Sequence, residues 1–131
     1  MNVAFFLTPL AEVIALPARC TVRQALERMQ FHRYAAVPLV SDDGVYVGTL
    51  TEGDLLWAMK ERNLSFKNTE TVSLADVPRR FENRAVSATT DIRELLARAA
   101  DQNFVPVVDS RGVLMGIVRR SAIIGYFAKG L

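Results

Sequence analysis

The residues best arranged for chemistry are Thr51, Glu52, Gly53 and Asp54, a hydroxyl and a carboxylate three positions apart, directly after an apolar run ending at Leu50. That spacing supports two readings that do not exclude one another. In the structural one, Thr51 caps the first turn of a helix and Asp54 sets negative charge near the positive end of its dipole. In the functional one, the free N–H groups of that turn and the Thr51 hydroxyl meet an anion, while Asp54 accepts hydrogen bonds from a ligand's hydroxyls. Catalysis has less to stand on. The single histidine, His32, and the single cysteine, Cys20, fall in different contexts, and no serine, acid or metal-ligating cluster is organised around either. His32 reads as a surface or capping residue at a helix end, and Cys20 as inert packing. Without a Gly-rich phosphate loop, an HExxH pattern or paired cysteine spacing, neither an enzyme nor a metal site is expected.

Composition narrows the class further. Half of the 131 residues are apolar and 23% are charged, as in an ordinary globular protein. Sixteen basic residues against fourteen acidic ones leave a net charge of +2, which makes no strong electrostatic footprint. Arg79, Arg80 and Arg84 lie close together, and Arg119 with Arg120 could join them, but there is no broad basic run and no recognition element, so nucleic acid is not an expected partner. One cysteine cannot form an internal disulfide, which suits a reducing compartment and makes the cytoplasm the expected location. Residues 3–16 are apolar, yet no Lys or Arg precedes them and Pro9 and Glu12 interrupt them, so they do not read as a signal segment. They are also too short to span a bilayer, and no membrane partner is expected.

The elements that must hold Thr51 and Asp54 follow from patterning. Residues 12–16 read as a short strand after the lead-in Leu7-Thr8-Pro9. Thr21-Val22-Arg23-Gln24 is a capping box opening a helix whose buried face is Val22, Ala25, Leu26 and Met29. Residues 34–40 and 45–50 are strands joined by the turn Asp42-Asp43-Gly44. Thr51 then starts a helix with Leu55, Leu56 and Met59 that continues to about Arg62, and residues 63–73 form a polar connector without period. The second half repeats this order, with Asp76-Val77-Pro78 as lead-in, a short strand at 85–87 and a capping box at Asp91-Ile92-Arg93-Glu94. A second hairpin over 104–118 follows, then a closing helix with Ile123, Ile124 and Phe127. Pro38, Gly44 and Gly48 recur as Pro106, Gly112 and Gly116, an offset of 68. Each copy is β-α-β-β-α, and units of about 60 residues are marginal alone, so the two are expected to bury one another's sheets.

Pro38, Gly44, Gly48, Thr51 and Asp54, in a β-β-α unit that recurs once, resemble the cystathionine-β-synthase (CBS) domain, and the pair resembles a Bateman module. The resemblance covers nearly the whole chain. It implies an α/β fold of two β-α-β-β-α CBS repeats packed as a pseudo-symmetric pair, with repeat 1 at 1–62, a connector at 63–75 and repeat 2 at 76–131. It implies a regulatory module, with no cofactor, that binds an adenine nucleotide, AMP or ATP foremost, in a cleft between the repeats. Such a module reports to an unidentified regulated protein by conformational or dimer-packing change. The pocket it implies takes Thr49, Thr51 toward phosphate and Asp54 on the ribose hydroxyls, with Arg79, Arg80, Asn83, Arg84, Asn103 and Phe104 from the opposite repeat.

The second cleft departs from the pattern. Arg119 stands where Thr51 stands and Ala122 replaces Asp54, so the ribose acceptor is missing. The remaining wall, Val13, Ile14, Tyr34, Ala35 and Ala36, is largely apolar, and this cleft is expected to be empty or weakly filled. A homodimer through the closing helices is expected from Leu56, Trp57, Ile124, Tyr126 and Phe127. A ligand-free scaffold that dimerises or docks on another protein is the alternative.

Overall fold

The structure, a computed structural model, describes residues 2–131. Its strands and α-helices run β1 (Thr8–Pro9), β2 (Leu16–Pro17), α1 (Val22–His32), β3 (Ala36–Val40), β4 (Tyr46–Thr51), α2 (Glu52–Glu61), β5 (Val86–Ser87), α3 (Ile92–Asp101), β6 (Phe104–Val108), β7 (Leu114–Arg119) and α4 (Arg120–Ala128). The chain is mixed α/β, as expected, and β-α-β-β-α occurs twice. Two compact units result: a central one of residues 15–43 and 47–82, and a terminal one of residues 2–14, 44–46 and 83–131. The sheet order is β2-β3-β4 in one and β1-β7-β6-β5 in the other.

In the central unit, β2 pairs parallel with β3, Leu16 opposite Leu39, and Leu16, Val37, Leu39 and Leu50 are all but fully buried. The strand expected over 12–16 is shorter than its apolar pattern suggests. Leu10–Glu12 is a 3₁₀ turn, and Pro17, which has no N–H to donate, occupies the second and last strand position. The α1 capping box is present in full: the Thr21 hydroxyl accepts from Gln24 N at 3.2 Å, and Gln24 Oε1 accepts from Thr21 N at 2.9 Å. The polar connector is ordered despite its lack of period. Phe66–Thr71 is a 3₁₀ segment with Thr69 buried. Arg23 clamps it to α1, donating to Glu70 at 2.8 Å and to the Phe66 carbonyl at 3.1 Å, with its guanidinium carbon 3.9 Å from the Phe66 ring centre.

In the terminal unit, Val3, Phe6, Val86, Leu95, Ala99, Val105, Val107, Val118 and Ile123 form one core. The lead-in of the first repeat belongs here: β1 pairs antiparallel with β7, Thr8 opposite Ile117 and Pro9 opposite Gly116. At Gly116 a Cβ would run into the Thr8 carbonyl, so the missing side chain is what lets β1 lie down. Gly112 turns the hairpin at φ +82°, a left-handed conformation that glycine adopts without steric cost. Residues 44–46 also fold into this unit, with Leu114 N donating to Gly44 O and Tyr46 N to Gly112 O, both at 3.0 Å. The capping box expected at Asp91 is only half formed. Asp91 Oδ1 accepts from Arg93 N at 2.8 Å, while Glu94 turns along α3 to Arg98 at 3.6 Å.

Candidate functional site

Strand β4 delivers Thr51 to the N-cap of α2 in extended conformation, and the cap closes from both sides. Thr51 Oγ1 accepts from Asp54 N at 3.1 Å, and Asp54 Oδ2 accepts from Thr51 N at 2.9 Å. The second oxygen of the same carboxylate is also engaged, since Asp54 Oδ1 accepts from Arg80 N at 2.9 Å. Asp54 is therefore 97% buried (3% exposed), at a helix N-terminus, with a backbone donor on each oxygen. A carboxylate has about four lone-pair directions, so two remain for further donors, but none is reachable while the 78–82 segment covers it.

That segment is held by the side chains of its two arginines. Gly48 lies under Arg79: a Cβ on Gly48 would stand 2.6 Å from Arg79 Nε and 2.8 Å from Cζ. The absent side chain makes room for a guanidinium along the strand that leads into Thr51. Arg80 places its guanidinium carbon 5.0 Å from the ring centre of Trp57, and Lys60 Nζ stands 5.2 Å from the same ring. The resulting site has a capped helix start, a doubly bonded carboxylate and two guanidinium groups with no ion pair to a carboxylate among the described residues. It can meet an anion with the arginines and the helix N-terminus, and a polyol with Asp54 once the segment lifts.

Of the expected pocket residues, Thr49, Thr51, Asp54, Arg79 and Arg80 belong to the central unit, where the Thr51–Asp54 turn and residues 79–80 come together. Thr49 is buried in β4. Asn83, Arg84, Asn103 and Phe104 belong to the terminal unit. There Arg84 and Phe104 are tied by Gln102, a buried residue that the sequence reading passed over. Its side chain accepts from Arg84 N at 3.0 Å and donates to Arg84 O at 3.2 Å and Phe104 O at 3.3 Å. Asn103 O accepts from Arg120 N at 2.9 Å, and Asn83 O accepts from the Tyr46 hydroxyl at 3.0 Å. Trp57, expected at a homodimer face, is 37% exposed and faces two cations. Its signal in the sequence was its place one helical turn after Asp54.

The residues expected to line the second cleft also divide between the units, with Val13, Ile14 and Arg119 in the terminal one and Tyr34, Ala35 and Ala36 in the central one. Arg119 is the N-cap of α4 and makes no side-chain cap, and the N3 position is Ala122. The helix start there has neither the hydroxyl nor the carboxylate found at α2. Arg120 turns away from it, its Nε donating to Ala99 O at 2.8 Å and Gln102 O at 3.1 Å. His32 ends α1, with its ring stacked 5.4 Å from that of Tyr34. Among the described residues no group of three or more His, Cys, Asp or Glu could hold a metal ion, and no helix is long and apolar enough to cross a membrane.

Each repeat has a hairpin-to-helix junction, capped by a side chain in the first alone, and the CBS domain profile matches residues 7–61 and again 73–129. The chain belongs to the CBS domain family. A CBS domain protein from Streptococcus pneumoniae is 27% identical and superimposes with a TM-score of 0.88 over 96% of this chain and 86% of that one. CBSX2 of Arabidopsis thaliana, solved in complex with AMP, is 23% identical, with a TM-score of 0.77 over 98% and 96% of the two chains. CbpB of Listeria monocytogenes, solved in complex with c-di-AMP, is 18% identical, with a TM-score of 0.86 over 96% and 94%. No curated protein matches the chain. The CBS pair's fold is thus shared, and Thr51 and Asp54 occupy its first hairpin-to-helix junction.

Proposed function

We propose that this CBS pair is a regulatory module, not an enzyme, that binds an adenine nucleotide at the start of α2 and signals through a change in conformation or dimer packing. The carrying observation is the buried Asp54, whose carboxylate closes the Thr51 cap and accepts from Arg80 N, with the Arg79 guanidinium over Gly48 on the strand that leads into it. In this reading Asp54 takes the ribose hydroxyls, Thr51 and the helix N-terminus take phosphate with Arg79 and Arg80, and Thr49 lines the approach. Asn83, Arg84, Asn103 and Phe104 supply the other wall, with Phe104 against the base. Repeat boundaries at 1–62 and 76–131, joined by 63–75, belong to the same reading. AMP-bound CBSX2 and c-di-AMP-bound CbpB support an adenosine ligand and add c-di-AMP to the candidates AMP, ADP and ATP. The cleft with Arg119 and Ala122 stays empty or weakly filled.

The module works in the cytoplasm, as a homodimer, on a regulated protein still to be identified. Support for dimerisation comes from a groove of about 710 Å³ between α1 and α2, lined by Leu26, Met29, Leu55, Leu56 and Met59 with Arg33 and Glu52 among them. A scaffold without ligand is the second reading, favoured by one observation: both Asp54 oxygens already have protein donors. Thermal shift with AMP, ADP, ATP, c-di-AMP, S-adenosylmethionine and NAD separates the two. A ligand at 100 times its dissociation constant stabilises by about 2.7 kcal/mol, which for a chain of this size raises the melting temperature by roughly 10 °C. No shift with any of the six at millimolar concentration leaves the scaffold.

A further inference from the structure

Asp54 and Trp57 lie three residues apart on α2, on one face of the helix, and the same residue of the 78–82 segment engages both. The Arg80 backbone N–H donates to Asp54 Oδ1 at 2.9 Å, and the Arg80 guanidinium sits 5.0 Å from the Trp57 ring centre. One turn of helix therefore holds one residue at two points, one on its main chain and one on its side chain. Val77 is buried and anchors the segment upstream, whereas Arg79, Arg80, Phe81 and Glu82 are all exposed. Downstream, Asn83 O accepts from the Tyr46 hydroxyl and Arg84 is bonded to Gln102, so the exposed residues between are held at their two ends and open more readily than the elements beneath them.

From this we infer that Trp57 is a positioning residue that latches the 78–82 segment over Asp54, so that a ligand's hydroxyls and the Arg80 N–H compete for one carboxylate oxygen. The inference rests on the proposed nucleotide reading and adds to it the step that gates the site. Only the unlatched chain offers Asp54, so apparent affinity is the intrinsic affinity reduced by the unlatched fraction. Loosening the latch at Trp57 raises that fraction and tightens binding. A residue that served stability alone would, when lost, weaken binding or leave it unchanged.

The test uses the full chain, with AMP and c-di-AMP as probes, in the wild type, Trp57→Leu and Trp57→Phe. Trp57→Leu removes the aromatic face and keeps Arg80, while Trp57→Phe keeps a face. Calorimetric titration is expected to show Trp57→Leu binding about two- to fivefold tighter, the factor carried by one exposed cation–π contact, with Trp57→Phe near the wild type. Hydrogen exchange at the Arg80 amide is expected to speed up in Trp57→Leu by a similar factor. Trp57 is the only tryptophan, so nucleotide binding to the wild type also changes its emission as Arg80 leaves the ring. Equal or weaker binding by Trp57→Leu, or an Arg80 amide indifferent to the substitution in a chain that binds, overturns the latch alone. Failure of both the wild type and Trp57→Leu to bind AMP, c-di-AMP and, titrated in the same way, ADP and ATP overturns the nucleotide reading, and the latch's gating role with it.

Discussion

Asp54 carries two duties in one carboxylate, and substitution separates them. In Asp54→Ala the Thr51 and Arg80 N–H groups lose their acceptor, and the helix loses its N3 charge; the expected cost is about 1–3 kcal/mol, read as a lower melting temperature. Nucleotide binding is expected to vanish in the same variant. Asp54→Asn keeps the shape but offers one oxygen for two donors, so it should recover part of the melting temperature and little of the binding. Normal binding by a variant that melts early would assign Asp54 to capping alone. At residue scale the sequence displayed the cap, because a hydroxyl and an acid at this spacing have one local geometry. It did not display the Arg80 N–H on Asp54, since a backbone donor 26 residues away leaves no mark in residue type. Gln102 was missed for a related reason: a glutamine at a helix end reads as solvated, and only the fold shows it bonded to Arg84 and Phe104.

The two hairpins were legible because alternation, a left-handed glycine in the turn and a matching offset all agreed, and their helices because each begins at a cap or an apolar repeat. The lead-ins were not, since a two-residue strand carries no period and nothing local names the sheet edge that receives it. Gly48 and Gly116 make that difference measurable. They are equivalent in the repeat, yet Gly48 faces the flexible Arg79 side chain and Gly116 faces the Thr8 main chain. Gly116→Ala is expected to cost about 1–3 kcal/mol by forcing β1 off β7. Gly48→Ala should cost less, because the guanidinium can swing aside while the strain of a side chain at positive φ, +155° and +159°, is common to both positions. Paired thermal melts decide, and equal losses would mean that the 78–82 segment is as firmly seated as a strand. At α4, Ala122→Asp places an acid at N3 beside the Arg119 N–H and should stabilise by about 0.3–1 kcal/mol.

At the scale of the whole molecule, the proposed homodimer rests on exposed apolar residues. Leu56 is 61% exposed and lines the α1–α2 groove, so a charge there should act on assembly more than on the fold. The expected result for Leu56→Glu is a monomer in sedimentation equilibrium with a melting temperature independent of concentration, against a wild-type dimer whose melting temperature rises with concentration. The exchanged lead-ins have a further consequence, in the order of events during synthesis. Apart from residues 44–46, the central unit is continuous in sequence and is complete once residue 82 has left the ribosome. Strand β1 is made first but pairs only with β7, more than 100 residues later. Domains emerge at about 5–20 residues per second, so β1 waits on the order of ten seconds for its partner. For that interval Val3 and Phe6 have no core to enter, which makes residues 3–9 a stretch where a chaperone or a neighbouring chain would bind.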